Sequence, residues 1–149
     1  KCFVYDLVTL ERINSFSYAG EGWGLTHNDS LIIMSNGSHQ LFFKDPETFE
    51  TVKTIQAFSN RRDFGNLNEL EWIDGFIYAN IYTTTSIVKI DPSNGQVKEV
   101  IDCSSVVNDV MAPGIDVLNG IAYNPLTQKI YITGKFWSKL YEVSFSVTI

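Results

Sequence analysis

The chain has 149 residues, a formal net charge of −6, and 13% aromatic against 19% charged residues. This length suits one domain with a substantial hydrophobic core, and the aromatic-rich composition is typical of an all-β protein. The acidic charge argues against nucleic acid or an anionic membrane as a partner, and no apolar run approaches the roughly 18 residues that span a bilayer.

Short apolar runs separated by turn residues predict β-strands from the start of the chain. Residues 2–5 and 11–16 resemble the outer two strands of a four-stranded sheet. The next unit begins at Gly-Trp-Gly-Leu, and its further strands are predicted at residues 31–34, 41–43 and 51–55. This part of the chain is therefore predicted to form a four-stranded unit preceded by two outer strands.

The stretch from residue 67 to residue 82 predicts a hairpin with an unusual number of polar side chains. Asp74-Gly75 lies between two apolar runs, and both residues tolerate the positive φ that a two-residue hairpin turn requires. Further strands follow at residues 87–90 and 96–101. The hairpin carries Asn68 and Tyr82 toward the same end of the sheet, where we expect function.

The remaining sequence predicts a third unit with a short or absent fourth strand. Its strands are expected at residues 118–123, 129–133 and 140–145, and only residues 104–111 favour a helical turn. The Asp45-Pro46 and Asp91-Pro92 turns recur 46 residues apart, which is the repeat of four-stranded β-propeller blades. We predict an all-β partial propeller over residues 1–149, divided into 1–16, 17–62, 63–112 and 113–149.

Three blades and a remnant are fewer than a closed ring needs, since propellers have about four to eight blades. We therefore expect this chain to be part of a five-bladed propeller. It begins at Lys1 rather than Met and has no signal segment, so we also expect that an upstream portion was removed or not included.

Five ordered blocks resemble the plant- and bacterial-type glutamine cyclotransferase family. They are Gly20-Glu-Gly-Trp-Gly-Leu-Thr26, Leu67-Asn-Glu-Leu-Glu71, Tyr78-Ala-Asn-Ile-Tyr82, Asp116-Val-Leu-Asn-Gly-Ile-Ala-Tyr123 and Thr133-Gly-Lys-Phe-Trp137. The resemblance implies a five-bladed propeller that converts the N-terminal glutamine of peptides to pyroglutamate and releases ammonia, an acyltransferase reaction. It implies peptides with N-terminal glutamine as partners, no cofactor, and an extracellular or periplasmic location.

The same resemblance assigns the candidate site residues. Trp23 is expected to form a wall of the substrate pocket, Asn68 to hydrogen-bond the substrate, and Lys135 to lie in the same central pocket with Trp137 close behind. Tyr82 lies where relatives usually carry tryptophan, which keeps an aromatic wall and adds a hydroxyl. We therefore predict Lys135 and Asn68 as catalytic and Trp23, Tyr82 and Trp137 as substrate-binding.

Two alternatives stay open at this site. A one-residue bulge after Asn80 would turn Tyr82 away from the pocket and bring Ile81 in, because side-chain direction alternates along a strand. Without the resemblance, Trp23, Trp137 and Trp72 are more often packing residues between blades. Asn68 and Asn119 can equally be turn residues that satisfy backbone groups at the ring centre.

The glutamate that the family uses as its catalytic residue lies in a Phe-Gly-Glu-Gly-Leu block, which these residues do not contain. Glu21 lies in a similar Gly-Glu-Gly, but the following Trp-Gly-Leu assigns it to the next blade, so it is only a secondary candidate, as is Asn119. We therefore expect this chain alone to be inactive. The rival hypothesis is a non-catalytic propeller that binds a peptide or small ligand.

Neither the histidines nor the cysteines have metal-site spacing. His27 and His39 are isolated, and Cys2 and Cys103 lie far apart, so we predict no metal site. Glu69 and Glu71 share one strand face and are expected to pair with Lys or Arg.

Overall fold

The computed structural model describes residues 1–60 and 62–145, and nearly all of its regular structure is antiparallel sheet. The strands are β1 (Cys2–Tyr5), β2 (Arg12–Phe16), β3 (Gly24–His27), β4 (Ile32–Ser35), β5 (Gln40–Lys44), β6 (Thr51–Gln56), β7 (Phe58–Ser59), β8 (Arg62–Asp63), β9 (Leu67–Ile73), β10 (Phe76–Ile81), β11 (Ser86–Ile90), β12 (Val97–Asp102), β13 (Leu118–Asn124), β14 (Lys129–Gly134) and β15 (Tyr141–Val143). One helix, α1 (Ser104–Val110), is described within those ranges.

Each sheet is a meander in which strands adjacent in sequence are adjacent in space. The orders are β1-β2, β3-β4-β5-β6, β7-β8, β9-β10-β11-β12 and β13-β14-β15. The predicted all-β organisation in four-stranded units is confirmed. The short β7–β8 hairpin lies across the boundary expected at residues 62 and 63, and the division into blades at those residue numbers stays a prediction.

The last predicted blade differs from the others. Three strands of it are described, β13 to β15, and residues 146–149 lie outside the described ranges. The helix expected near residues 104–111 is present as α1, in the connection before this sheet. In the part of the chain that the structure describes, no helix is both long and apolar enough to cross a membrane.

The Asp74-Gly75 turn has the backbone conformation that its sequence favours. Asp74 has φ 48° and Gly75 has φ 84°, so both central residues occupy the left-handed region. Strands β9 and β10 pair directly on either side, with Ile73 opposite Phe76. The local sequence thus sets the register of the hairpin that carries Asn68, Glu69 and Glu71.

The β9–β12 sheet is buried on both of its faces. Leu70 and Val88 are fully buried in a core shared with Ile33 of the preceding sheet. Ile87 is fully buried in a second core shared with Leu118 of the following sheet. This sheet therefore stacks between two neighbours, as a propeller blade does.

Two first strands approach each other closely at Gly24. A Cβ added there would lie 2.1 Å from the carbonyl oxygen of Asn68, which is shorter than any tolerated contact. Glycine is therefore required where β3 meets β9, and this contact fixes the distance between the two blades.

Candidate functional site

Three side chains that directly adjoin strands of three different sheets meet in one group. The Trp23 and Tyr82 rings are 5.5 Å apart between centroids and cross at 72°, an edge-to-face arrangement. The Lys135 ammonium donates to the Tyr82 hydroxyl at 3.3 Å and lies 4.9 Å from the centre of that ring. We call Trp23, Tyr82 and Lys135 the aromatic–lysine cluster; 112 residues separate its first and last members.

Trp23 is held from three directions just before β3. Its backbone N–H donates to the Ser35 carbonyl at 2.9 Å. Its ring lies against Gly37, where an added Cβ would come within 2.6 Å of the indole. The indole N–H donates to the Glu21 carboxylate at 2.7 Å. Glu21 is therefore attached to the aromatic–lysine cluster through Trp23.

The predicted alternative of a bulge before Tyr82 is not what the pairing of β9 and β10 shows. Ala79 pairs with Leu70 and Ile81 pairs with Leu67, so two residues of β9, Asn68 and Glu69, face the single residue Asn80. The bulge is thus in β9 and not in β10 after Asn80. Bulges re-aim side chains, and this one lies at the predicted substrate ligand Asn68.

The third sheet has the same irregularity at the equivalent place. Leu118 pairs with Gly134 and Ile121 pairs with Ile132, so Asn119 and Gly120 face Thr133. The sequence similarity between the two Leu-Asn segments therefore corresponds to a shared backbone feature.

Lys135 lies on a turn that is fixed at several points. Its N–H donates to the Val117 carbonyl at 3.0 Å, and its own carbonyl accepts from Asp116 N–H at 2.9 Å. Trp137 N–H donates to the Gly134 carbonyl at 3.2 Å, which closes the turn. The ammonium thus extends from a well-supported backbone.

The contacts of Trp137 are with its own sheet. Its indole N–H donates to the Asp116 carbonyl at 2.8 Å, its ring lies against Gly134, and it meets Tyr141 edge to face at 6.2 Å. These contacts hold the turn that carries Lys135, and substrate contact by Trp137 stays a prediction.

Asn68 is buried, with 8% of its surface exposed, and is joined to the cluster through Ser35. The Ser35 hydroxyl donates to the Asn68 carbonyl at 2.5 Å, and the Ser35 carbonyl accepts from Trp23. Among residues 1–60 and 62–145, no partner hydrogen-bonds the Asn68 carboxamide. The contact with Ser35 is made by the Asn68 backbone, so substrate binding by the carboxamide stays a prediction.

Backbone N–H groups of β13 are held by side chains of the preceding sheet. The Glu69 carboxylate accepts from Ile121 N–H at 2.8 Å, and the Asn80 carboxamide oxygen accepts from Gly120 N–H at 3.0 Å. In return, the Asn119 carboxamide oxygen accepts from Glu69 N–H at 3.4 Å. Asn119 is therefore one of the residues that join β9 to β13. We call these contacts the seam; they bring the sheet next to Lys135 against the sheet next to Tyr82.

The expected pairing of the two β9 glutamates with Lys or Arg is wrong. Glu71 accepts from Tyr123 N–H at 2.8 Å, much as Glu69 accepts from Ile121, and in the described ranges neither carboxylate forms an ion pair with a lysine or arginine. Strands β9 and β13 belong to different sheets and share no backbone ladder. The N–H groups of Ile121 and Tyr123 are therefore satisfied by side-chain acceptors.

Burial dominates the electrostatics of the seam. It raises the pKa of Glu69 to about 8, against the lowering effect of the Ile121 hydrogen bond and with a further rise from the nearby Glu71 charge. Burial likewise raises the pKa of Glu71 above its usual value. Burial therefore favours the neutral form of Glu69, whose carbonyl oxygen can still accept from Ile121 N–H.

Sequence reasoning missed Asn80, which is fully buried. Its amide nitrogen has no hydrogen-bond partner in the described part of the chain. A polar residue in the middle of the apolar run 76–81 was the available signal, because an amide is rarely placed there without a partner.

Comparisons with known proteins agree on one family. The glutamine cyclotransferase family model matches residues 1–145. Glutaminyl-peptide cyclotransferase of Arabidopsis thaliana is 34% identical over 145 residues, which are 95% of this chain and 45% of that protein. Glutaminyl cyclase of Myxococcus xanthus is 36% identical, with a TM-score of 0.90 over 95% of this chain and 62% of that chain.

A more distant match concerns the fold alone. The WD40 β-propeller domain of Doa1 is 14% identical, with a TM-score of 0.53 over 89% of this chain and 40% of that one. The predicted propeller fold is confirmed. The chain spans about half the length of the relatives it matches.

Proposed function

This chain belongs to the glutamine cyclotransferase family, and from that premise we propose that the protein converts the N-terminal glutamine of peptides to pyroglutamate with release of ammonia. The observation that carries the proposal is the aromatic–lysine cluster. Three separate sheets contribute Trp23, Tyr82 and Lys135, each from a block that resembles the family. The proposed partners are peptides and proteins with N-terminal glutamine.

The reaction is an acyl transfer within one residue. The α-amino nitrogen attacks the side-chain amide carbon and forms the ring C–N bond, while the amide oxygen gains negative charge. A proton then moves from the attacking nitrogen to the departing amino group, the original C–N bond breaks, and ammonia leaves. The site must therefore stabilise an oxyanion and carry a proton.

The aromatic–lysine cluster has a group that can stabilise the oxyanion. The Lys135 ammonium is exposed and held at Tyr82, so it can face the oxygen that becomes negative or hold a carboxylate. Trp23 and Tyr82 supply an aromatic surface that orients a short side chain and excludes water. We propose that the Asn68 carboxamide, which has both a donor and an acceptor, holds the substrate amide.

The reaction also needs a group that carries the proton. We propose that these 149 residues alone do not turn over peptides, because they lack the Phe-Gly-Glu-Gly-Leu block. The Glu21 carboxylate contacts the cluster, because it accepts from the Trp23 indole N–H. By the same family resemblance we propose an extracellular or periplasmic location.

Replacing Lys135 by Met in the complete protein that contains this sequence tests the proposal. Ammonia release from peptides with N-terminal glutamine should fall by about tenfold to a thousandfold, the range for losing one electrostatic stabiliser. Lys98→Met is the matched control, since Lys98 pairs with Asp91 on an outer strand. Equal turnover by the Lys135 variant and the control would show that Lys135 takes no part in the reaction.

A non-catalytic propeller that binds the same peptides is the second candidate. Tyr82, where relatives usually carry tryptophan, favours it. The two functions differ in what happens to the peptide. A binder releases it unchanged, whereas the enzyme converts its N-terminal glutamine to pyroglutamate with loss of ammonia. Mass spectrometry of the recovered peptide separates them.

A further inference from the structure

Asn80 is a fully buried residue of β10, and only Ile81 separates it from Tyr82. Its carboxamide oxygen accepts from Gly120 N–H, on the first strand of the sheet whose second strand ends just before Lys135. We propose that Asn80 is a positioning residue, which holds the Lys135 ammonium in place beside Tyr82. This inference rests on the proposed function and adds a residue to that same site.

A closed path of contacts joins Asn80 to both of the residues that it positions. From Gly120 the chain runs back to Val117, whose carbonyl accepts from Lys135 N–H at 3.0 Å. The Lys135 ammonium donates to the Tyr82 hydroxyl at 3.3 Å, and Tyr82 follows Asn80 by two residues. Two links of this path cross between the sheets: the exposed contact of Lys135 with Tyr82, and the buried 3.0 Å bond from Gly120 to Asn80. The buried link therefore constrains the exposed one.

The backbone around Gly120 connects the buried link to the turn that carries Lys135. Asn119 and Gly120 face Thr133 in the irregular pairing of β13 with β14, and an added Cβ on Gly120 would lie 2.9 Å from the Thr133 side chain. The Thr133 hydroxyl donates to the Lys139 carbonyl at 3.0 Å, across the turn. A shift of β13 at Gly120 would therefore also move the residues on either side of Lys135.

Glu69 holds the neighbouring N–H group of β13 from a different strand. Its carboxylate accepts from Ile121 N–H at 2.8 Å, and Glu69 lies on β9. Among the described residues, Asn80 is the β10 side chain that bonds to the β13 backbone. It therefore links β13 directly to the strand that leads to Tyr82.

The other end of the Asn80 carboxamide shows that this residue is not explained by stability alone. Gly120 N–H must donate to the oxygen, so the amide nitrogen points the other way. This nitrogen has no hydrogen-bond partner in the described part of the chain. A buried donor without a partner destabilises the folded state, and departures of this kind occur at functional sites.

Four variants of the complete protein that contains this sequence test the proposal. Asn80→Leu is similar in size and has no acceptor for Gly120 N–H, whereas Asn80→Asp keeps an oxygen there. Asn80→Ser, whose side chain is shorter, is the second variant without this acceptor if Asn80→Leu does not fold. Thr26→Val is the matched control, because the Thr26 hydroxyl accepts from Trp72 N–H at 3.0 Å and joins β3 to β9 in the same way.

Ammonia release from a Gln-Gly peptide and denaturant unfolding are measured for each variant. Asn80→Leu should lower kcat by about tenfold to a hundredfold with little change in KM, because a displacement of about 1 Å at a reacting group has effects of that size. Asn80→Asp should recover most of this loss, and Thr26→Val should lose stability but keep its kcat. An equal fall of kcat in Asn80→Leu and Thr26→Val would overturn the inference.

A double-mutant cycle with Lys135→Met shows whether Asn80 acts through Lys135. If it does, Asn80→Leu should lower kcat little further in the Lys135→Met protein, because no ammonium is left to position. If the two fold-changes multiply, the two residues act independently and the inference is wrong.

Crystal structures of the native and Asn80→Leu proteins give a readout that does not need activity. The distance from the Lys135 ammonium to the Tyr82 hydroxyl, 3.3 Å in the native chain, should increase by about 1 Å or more in the variant. If no ammonia is released by the native protein but this distance changes, the proposed function is wrong and the positioning of Lys135 by Asn80 stands. If ammonia is released and neither the distance nor kcat changes, only the inference is wrong. If ammonia is not released and the distance is unchanged, both are overturned.

Discussion

Replacing Glu69 by glutamine changes how the stability of the protein depends on pH. Glutamine keeps an oxygen that can accept from Ile121 N–H but cannot ionise. In the folded protein burial raises the Glu69 pKa to about 8, from an ordinary value of 4.5. Folding therefore takes up a proton at Glu69 at any pH between these values.

The sign of the effect follows from that proton. A carboxyl group with a raised pKa in the folded state contributes its full stability below pH 4.5 and loses it as the pH rises through about 8. The loss is about 1.4 kcal/mol per pH unit, so between pH 4.5 and pH 7 it reaches about 3 kcal/mol. Glu69→Gln should remove this loss and be more stable than the native protein by up to that amount at pH 7.

Denaturant unfolding at a series of pH values from 4 to 9 measures the effect. The Glu69→Gln curve should lie near the native curve at pH 4 and above it at pH 7, with the smaller remaining slope due to Glu71, whose pKa is also raised by burial. Glu69→Ala should be less stable than Glu69→Gln throughout, because Ile121 N–H then loses its acceptor. Glu47→Gln, on an exposed outer turn, is the charge-matched control.

Parallel pH curves for the native protein and Glu69→Gln would refute the reasoning. They would mean that Glu69 is ionised in the folded state and that its hydrogen bond from Ile121 outweighs burial.

Two further substitutions test the packing that brings the site together. Gly24→Ala would place a Cβ 2.1 Å from the Asn68 carbonyl oxygen, so we expect a loss of about 2 kcal/mol or more in unfolding free energy, whereas Gly65→Ala, with no atom within 4 Å, should be close to neutral. Equal stability of the two alanine variants would contradict the close approach of β3 and β9. Leu70→Ala removes a fully buried side chain from the core between the first two four-stranded sheets and should cost about 2 to 5 kcal/mol. Leu126→Ala, at an exposed turn, is the control for Leu70→Ala. If the two variants unfold at a similar midpoint temperature, Leu70 is not part of the core.

Local sequence determined the strands and the turns of this protein. The conformation at Asp74-Gly75 depends on which residues tolerate positive φ, and the repeated Asp-Pro turns mark equivalent hairpins in successive sheets. Such features involve residues close in sequence, so composition and spacing are enough to predict them. The family blocks added the candidate residues Trp23, Asn68, Tyr82 and Lys135.

Tertiary structure decided which of these residues meet. Tyr82 stays beside Trp23 because the extra residue lies in β9, and a register of this kind depends on how two strands and their neighbours pack. The acceptor role of Glu69 required a partner strand more than 50 residues away, which no local pattern identifies. A backbone N–H group that a strand leaves unpaired can donate to any acceptor nearby, and only the stacking of the sheets determines which acceptor is near.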